Sequence, residues 1–177
     1  MILIRSILLI ALCTVSGSIY SQTASTTVSL TLPVVTLMDI EPTGSITLNF
    51  TRPTEAGNAL VAPTPNTSKW INYTSAIASG GLTRRITASV NTVIPGVNIR
   101  IQAAAASGGG GGTLGTSAGQ VILTTTPTTI ISGIGGAYTG NGANNGHALT
   151  ISLATSTYAN LQAQANTAIV ITYTITE

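Results

Sequence analysis

The chain has 177 residues, of which only 6% are charged and 44% are hydrophobic. Beyond residue 21 it contains five basic and four acidic residues, which gives a net charge of +1. Nucleic-acid binding needs many phosphate-neutralising side chains, so this composition argues against it. Low charge also means little electrostatic repulsion between copies, and therefore little to oppose self-association.

The first 21 residues have the layout of an export signal. Arg5 supplies the positive start, and the apolar run SILLIALCTV is too short to span a membrane. Cleavage after Ser21 predicts a mature protein, residues 22–177, that passes through a periplasm to the cell surface or the medium. Cys13 is the only cysteine and lies in the signal, so we expect no disulfide and no thiol ligand in the single mature domain.

Period-two alternation of apolar and polar residues runs through most of the mature chain, which is typical of β-strands with one buried face. The alternating or short apolar runs are TVSLTL (27–32), SITLNF (45–50), RITASV (85–90), VNIRIQA (97–103), QVIL (120–123), ALTISLA (148–154) and AIVITYTIT (168–176). Proline, glycine and asparagine separate them: a loop at 51–67, a glycine-rich crossover at 107–120 and a turn region at 133–146. The only helical turn is expected within 158–165. We predict an all-β fold, an antiparallel β-sandwich of about seven to nine strands with immunoglobulin-like or pilin-like architecture.

The residues that carry most enzyme chemistry are scarce. His147 is the only histidine, and nothing in its spacing from Asp39 indicates a catalytic triad. A pair of catalytic carboxylates would have to come from Asp39, Glu41 or Glu55. One histidine and no mature cysteine cannot form a zinc site, and the asparagine-glycine segments lack the aspartates of a calcium loop. We therefore expect no catalytic residues, no metal and no cofactor.

Trp70 is the only tryptophan and lies in the segment SKWINYT. The favoured interpretation is packing in the core between two sheets. The alternative is a platform on which a sugar stacks, with Arg84 or Arg85 nearby and with Tyr138 as a second contact in the loops. Both interpretations stay open at the level of the sequence.

Arg84 and Arg85 precede an alternating strand, so their side chains point to opposite faces of the sheet. If one of them is buried, it needs a carboxylate or carbonyl partner. Glu41 and Glu55 are the candidate carboxylates.

The first alternating segment after the signal, STTVSLTLPVV, is uncharged and free at its N-terminal end once the signal is removed. Val28, Leu30 and Leu32 share one face, and Pro33 separates them from the rest because proline interrupts a ladder of hydrogen bonds. The segment either pairs within its own domain or adds to the sheet of a neighbouring subunit. Strand addition combines main-chain hydrogen bonds with alternating apolar pockets.

The run TTVSLTLPVVTLMDIEPTGSITLNF resembles the start of pilins of the alternate chaperone-usher class, the colonisation-factor fimbriae. The closing TAIVITYTITE resembles the last strand of such pilins and of spore coat U domains, and the composition resembles secreted proteins of Bacteroidota. The glycine-rich middle does not match, and the cysteines of many such domains are absent. The resemblance implies a subunit of a surface filament or coat, with a copy of itself or a related subunit as partner and a periplasmic chaperone.

Two functions follow as expectations. The first is a non-catalytic structural subunit that assembles by strand exchange through residues 25–33. The second is a monomeric glycan-binding or adhesin module that uses the loops 51–67 and 133–146 with Trp70 or Tyr138.

Overall fold

A computed structural model describes residues 21–165 and 167–177. The predicted export signal therefore lies, except for Ser21, outside the described residues. The chain divides into two compact units, residues 1–32 and residues 33–177, and all the strands of the described residues lie in the second.

The described chain is all-β, apart from one 3₁₀ turn at Tyr158–Asn160 in the segment where a helical turn was expected. Its nine strands are β1 Val35–Glu41, β2 Asn66–Ala76, β3 Arg84–Val90, β4 Val97–Ala103, β5 Gly111–Ser117, β6 Gln120–Ile122, β7 Thr128–Tyr138, β8 His147–Thr155 and β9 Ile171–Thr176. Every pairing between them is antiparallel. The predicted all-β antiparallel class is thus confirmed, with the number of strands inside the predicted range.

All nine strands belong to one hydrogen-bonded sheet, and β2 is the strand at which it divides. The main path through the sheet is β6-β4-β8-β2-β7-β3-β9. One edge of β2 pairs with β1 along its last seven residues. The other edge pairs first with β8 and then, at Thr74 and Ser75, with β7. A single long strand therefore links the β8-β4-β6 half of the sheet to the β7-β3-β9 half.

The core lies on one face of this sheet. Side chains from both halves form one buried cluster, including Ile101 of β4, Leu149 of β8, Ile86 of β3 and Ile131 of β7, each with no exposed surface. Strands far apart in the sheet order meet in this cluster, so the sheet must curl over its own apolar face. The alternating residues of each strand supply that face, as period two requires.

Two segments rich in glycine, predicted as a crossover and a turn region, are partly strands. β5 occupies part of the crossover, and β7 extends into the turn region as far as Tyr138. Glycine permits this pairing because the two backbones approach very closely: a Cβ at Gly112 would overlap the carbonyl oxygen of Gly136. Gly112 also has a φ of +87°, which side chains rarely adopt. Propensity alone does not identify such a strand, because glycine is poor in sheets unless a backbone needs its space.

Two alternating segments that we predicted as strands are not strands in the structure. Residues 21–34 contain no strand, and β1 begins only at Val35, after Pro33. Residues 45–50 also have no strand, although burial alternates along them: Ile46, Leu48 and Phe50 are half-buried and the residues between them are exposed. This alternation is that of an extended chain without sheet partners.

We expect Gly112→Ala to destabilise the domain by about 2–4 kcal/mol, because it adds both a strained φ and a steric overlap inside the β5–β7 pair. Gly136→Ala is the matched control, since its Cβ meets no atom within 4 Å; it should change stability by less than about 0.5 kcal/mol. Urea unfolding of both variants measures the difference. Equal loss in the two variants would contradict the close approach of the strands.

Candidate functional site

A groove with an apolar floor and a mixed apolar and polar lining runs along the second unit between the segment 45–50 and the strand β9. Segment 45–50, which we call the groove wall, supplies its apolar residues to one side, and β9 with the residues before it supplies the other. The groove consists of two cavities, of about 1090 and 300 Å³, that share four lining residues and are therefore continuous. The apolar lining residues used below are Ile46, Leu48 and Phe50 on the wall, Ile169, Ile171 and Tyr173 opposite, and Ile99, Ile151 and Leu153 on the floor.

Both sides of the groove have backbone edges without sheet partners. In the described chain β9 pairs with β3 alone, with Ile171 opposite Val90 and Thr176 opposite Arg85. The groove wall pairs with no strand within the same residues, and its far end is fixed by a bridge between Thr51 and Val61 with two N–O distances of 3.0 Å. Unpaired backbone groups at a sheet edge are a template for another strand.

The two sides run in opposite directions. The wall proceeds from the smaller cavity, at Ile46, towards the larger one at Phe50. The chain leading into β9 proceeds from Thr167, in the larger cavity, to Tyr173 in the smaller one. A strand inserted between them would therefore lie parallel to one side and antiparallel to the other, and both pairings occur in sheets.

The apolar residues of the predicted exchange segment are the most exposed large hydrophobic side chains described. Val28, Leu30 and Leu32 have 83%, 78% and 82% of their surface exposed. Soluble proteins commonly expose single apolar residues, whereas here three occur at alternate positions of an uncharged segment whose residues 21–34 are all exposed. Their role in strand exchange is a prediction, taken up below.

Two buried cationic side chains hold the ends of β1. Arg84 is 3% exposed and donates to the carbonyl oxygen of Val35 at 2.5 Å and to Ser75 Oγ at 2.9 Å. Its carboxylate partner is Glu177, at 3.7 Å, and not Glu41 or Glu55 as expected. Arg85 is exposed on the other face. This confirms the prediction that the two arginines point to opposite faces and that the buried one has a carbonyl partner.

Lys69 fixes the turn beyond the other end of β1. Its Nζ donates to the carbonyl oxygens of Pro42 at 2.5 Å and Gly44 at 2.7 Å. The side chain is 7% exposed and also lines the smaller cavity of the groove. Nothing in the sequence indicates this contact, because a lone lysine in a polar segment is normally solvated.

Trp70 does not pack in the core, so the favoured interpretation of this residue was wrong. It alternates with Ile71 and Tyr73, whose side chains face the core, and it lies on the outer face of β2. Glu41 of β1 is directly opposite it on that face. Neither arginine is its neighbour: Arg84 contacts Ala76, which lies six residues further along β2, or about 20 Å away.

Tyr138 lies on the same outer face and is 56% exposed. It is paired with Thr74, four residues beyond Trp70, so the two aromatic residues are separated by about 13 Å along β2. The ring of Tyr138 lies over Gly111 of β5. The loop at 51–67 contributes Leu60 and Arg52 to the groove and not to this face.

His147 is fully buried and forms a polar contact network with Tyr73. The two rings are stacked with centroids 5.8 Å apart, and Nε2 is 3.0 Å from the Tyr73 hydroxyl. Nδ1 lies 2.8 Å from the carbonyl oxygen of Ala104, and the Tyr73 hydroxyl also donates to the carbonyl of Leu114. These contacts join β2, β5 and β8, which is a structural role for the histidine.

The carboxylates named above do not gather around the histidine. Asp39 is exposed on β1 and accepts from its own neighbour, Ile40 N, at 2.7 Å. No three His, Cys, Asp or Glu side chains lie together anywhere in the described ranges. Nor does any helix within those ranges have the length and apolarity to cross a membrane.

Comparisons of the chain with protein-family models, with curated proteins and with solved structures found no match.

Burial raises the pKa of Tyr73 above its ordinary value of about 10, because ionisation would place a phenolate away from solvent. The unfolded chain ionises this group at lower pH, so its contribution to stability is complete below about pH 10 and is lost as the pH rises further. We expect the melting temperature of the protein to fall above pH 10, and less steeply for Tyr73→Phe. Parallel melting profiles of the two proteins between pH 8 and 11.5 would contradict this.

Proposed function

We propose that this protein is an exported, non-catalytic structural subunit that assembles by β-strand exchange. Residues 25–33 of one copy, the donor segment, enter the apolar groove of the next copy. The observation that carries the proposal is that one chain has both an apolar groove between two unpaired backbone edges and an exposed, alternating, uncharged segment.

The apolar side chains of the donor segment and those of the groove wall have the same spacing. Val28, Leu30 and Leu32 cover about 13 Å of extended chain, and Ile46, Leu48 and Phe50 on the groove wall cover the same length at the same two-residue interval. Each apolar side chain of the donor segment can therefore meet one of the wall and one of the opposite side. A shift by a single residue would place Ser29 and Thr31 in the groove instead, so the register is specified.

Burial of apolar side chains favours the association. Burying three aliphatic side chains contributes on the order of 2 kcal/mol each before ordering costs. Main-chain hydrogen bonds to two edges add to this, since both edges are otherwise left to water. The donor segment has no charge to desolvate, and among the described lining residues only Arg52 and Lys69 are charged, at opposite ends of the groove.

Strand exchange of this kind joins a segment of one copy to a different surface of the next. Such a head-to-tail contact does not close on itself unless the rotation happens to form a ring, so it produces filaments. The proposal includes a pilin-like architecture, a periplasmic route to the cell surface, and a second copy or a related subunit as partner. It assigns no reaction to the protein.

We expect the mature protein to form filaments, or a ladder of oligomers, and Leu30→Asp to abolish them because a carboxylate would be buried in the groove. Thr31→Asp is the matched control: it adds the same charge on the opposite face of the donor segment and should still assemble. Size-exclusion chromatography with light scattering and negative-stain electron microscopy measure the outcome. A wild-type protein that stays monomeric at all concentrations, or a Leu30→Asp protein that assembles normally, would refute strand exchange.

A mixing experiment tests the groove separately from the donor segment. Leu30→Asp leaves the groove intact, and Leu48→Asp blocks the groove while the donor segment remains. Each variant alone should be monomeric, and an equimolar mixture should form a heterodimer and nothing larger. Filaments from the mixture, or no association, would show that the groove is not the acceptor.

A second function, glycan binding, is favoured by the position of Trp70. Its indole lies on the outer face with a carboxylate, Glu41, opposite and the exposed Tyr138 further along. Flat outer faces with an aromatic side chain and polar neighbours suit a sugar ring, which has an apolar face and a polar edge. This surface is distinct from the groove, so the protein can have both functions.

Trp70→Ala in the monomeric Leu30→Asp protein should weaken retention on an immobilised polysaccharide by roughly fivefold to tenfold if the outer face binds glycans. Tyr158→Ala serves as the control, because Tyr158 is an exposed aromatic residue that lines the groove instead. Equal retention of the two variants would exclude the outer face as the binding surface.

A further inference from the structure

The amino group of Lys69 is bonded to backbone carbonyls only. Lys69 has the same parity along β2 as Ile71 and Tyr73, so its side chain enters the core side of the sheet. It ends at the carbonyl oxygens of Pro42 and Gly44. The ion pair found among the described residues joins Arg84 to Glu177 and does not involve Lys69.

A buried lysine without a carboxylate partner is not expected to stabilise the fold more than an apolar side chain of similar volume would. A buried cation without a carboxylate loses its hydration, and two carbonyl oxygens replace that hydration only in part. Replacing buried charged groups by apolar ones of similar volume is often neutral or even stabilising. Methionine would fill the same space as Lys69 without burying a charge. The role of the lysine therefore depends on the hydrogen bonds that its amino group donates.

Those hydrogen bonds fix the turn from which the groove wall begins. Residues 42–44 connect the end of β1 to the wall, residues 45–50. At its other end the wall is fixed by the Thr51–Val61 bridge. Between these two points no strand pairing holds it within the described chain, and of its apolar residues Ile46 and Leu48 pack against the core cluster.

We propose that Lys69 is the positioning residue of the groove: through Pro42 and Gly44 it holds the wall at the separation from β9 that accepts one strand. Two strands that flank a third lie about 9.5 Å apart. Without the anchor the wall is free to collapse onto β9 or to move away, and either movement removes the acceptor. This inference rests on the proposed strand exchange for its purpose, but the position of the wall is measurable without any exchange.

The first experiment measures the affinity of the groove in the full-length mature Leu30→Asp protein, whose own donor segment is disabled. The probe is a fluorescent synthetic peptide of residues 24–34 with the wild-type sequence. We expect Lys69→Met to bind it at least tenfold more weakly and Lys69→Arg to bind within about threefold of the parent. Arg85→Met, which removes the same charge from an exposed site on β3, should leave the affinity unchanged.

The second experiment measures the wall itself. The mature chain has no cysteine, so Thr47→Cys on the wall and Thr172→Cys on β9 allow two spin labels at exposed positions. Pulsed electron resonance should give one narrow distance distribution with Lys69 and a broadened or shifted one with Lys69→Met. The melting temperature should change by no more than a few degrees, because the core cluster does not include Lys69.

The outcomes separate the two proposals. If the parent protein does not bind the peptide, strand exchange fails, and the label distances alone decide the role of Lys69. Unchanged distances in Lys69→Met overturn the inference, as does an unchanged affinity where the parent binds. A Lys69→Met chain that does not fold overturns it as well, because the inference requires a core that is independent of this residue.

Discussion

The structure depends on the requirement that a backbone in an extended conformation satisfies its hydrogen-bonding groups. The nine strands obtain partners in one sheet that curls over its own apolar face, and β2 makes this possible by exchanging β8 for β7 along one edge. Four of them, β1, β5, β6 and β9, each pair with a single strand, and the groove wall pairs with none within the described chain. In the proposed strand exchange, the free edge of β9 and the unpaired groove wall accept one further strand between them.

Two buried cationic side chains form hydrogen bonds at the two ends of β1. Arg84 fixes the first residue of β1, where the donor segment ends, and Lys69 fixes the turn after its last residue, where the groove wall begins. The strand that connects donor to acceptor is therefore held at both ends by buried side chains, as well as by its seven-residue register with β2. In the proposed filament, a neighbouring copy that pulls on the donor segment would pull on β1, and both anchors would resist its displacement along β2.

The sequence predicted much of the fold but less of the site. Alternation identified β3, β4, β8 and β9, because one face of each is buried and the other is solvated. It failed at β5, where glycines permit a close approach that no propensity scale anticipates, and at Trp70, where a large aromatic residue was assigned to the core although its parity with Ile71 places it outside. Period two also predicted that the donor segment and the groove wall are apolar at alternate residues. The pattern alone does not show whether such a segment pairs with another strand. The groove combines residues 46–50, 97–99, 151–153 and 169–173, and only the three-dimensional arrangement brings these together.

The low charge of the chain also affects which segments can pair with the free edge of β9. Natural proteins usually protect free strand edges with charged side chains, bulges or proline. The outward residues of β9 are Thr172, Thr174 and Thr176, opposite Ser89, Thr87 and Arg85 of β3, so hydroxyl groups keep this face hydrated while the edge itself has no lysine or glutamate until the last residue, Glu177. An edge without charges is open to pairing with another strand. In the proposed exchange, side chains two residues apart specify the register in the groove, which favours an uncharged alternating segment such as residues 25–33 over charged or irregular segments.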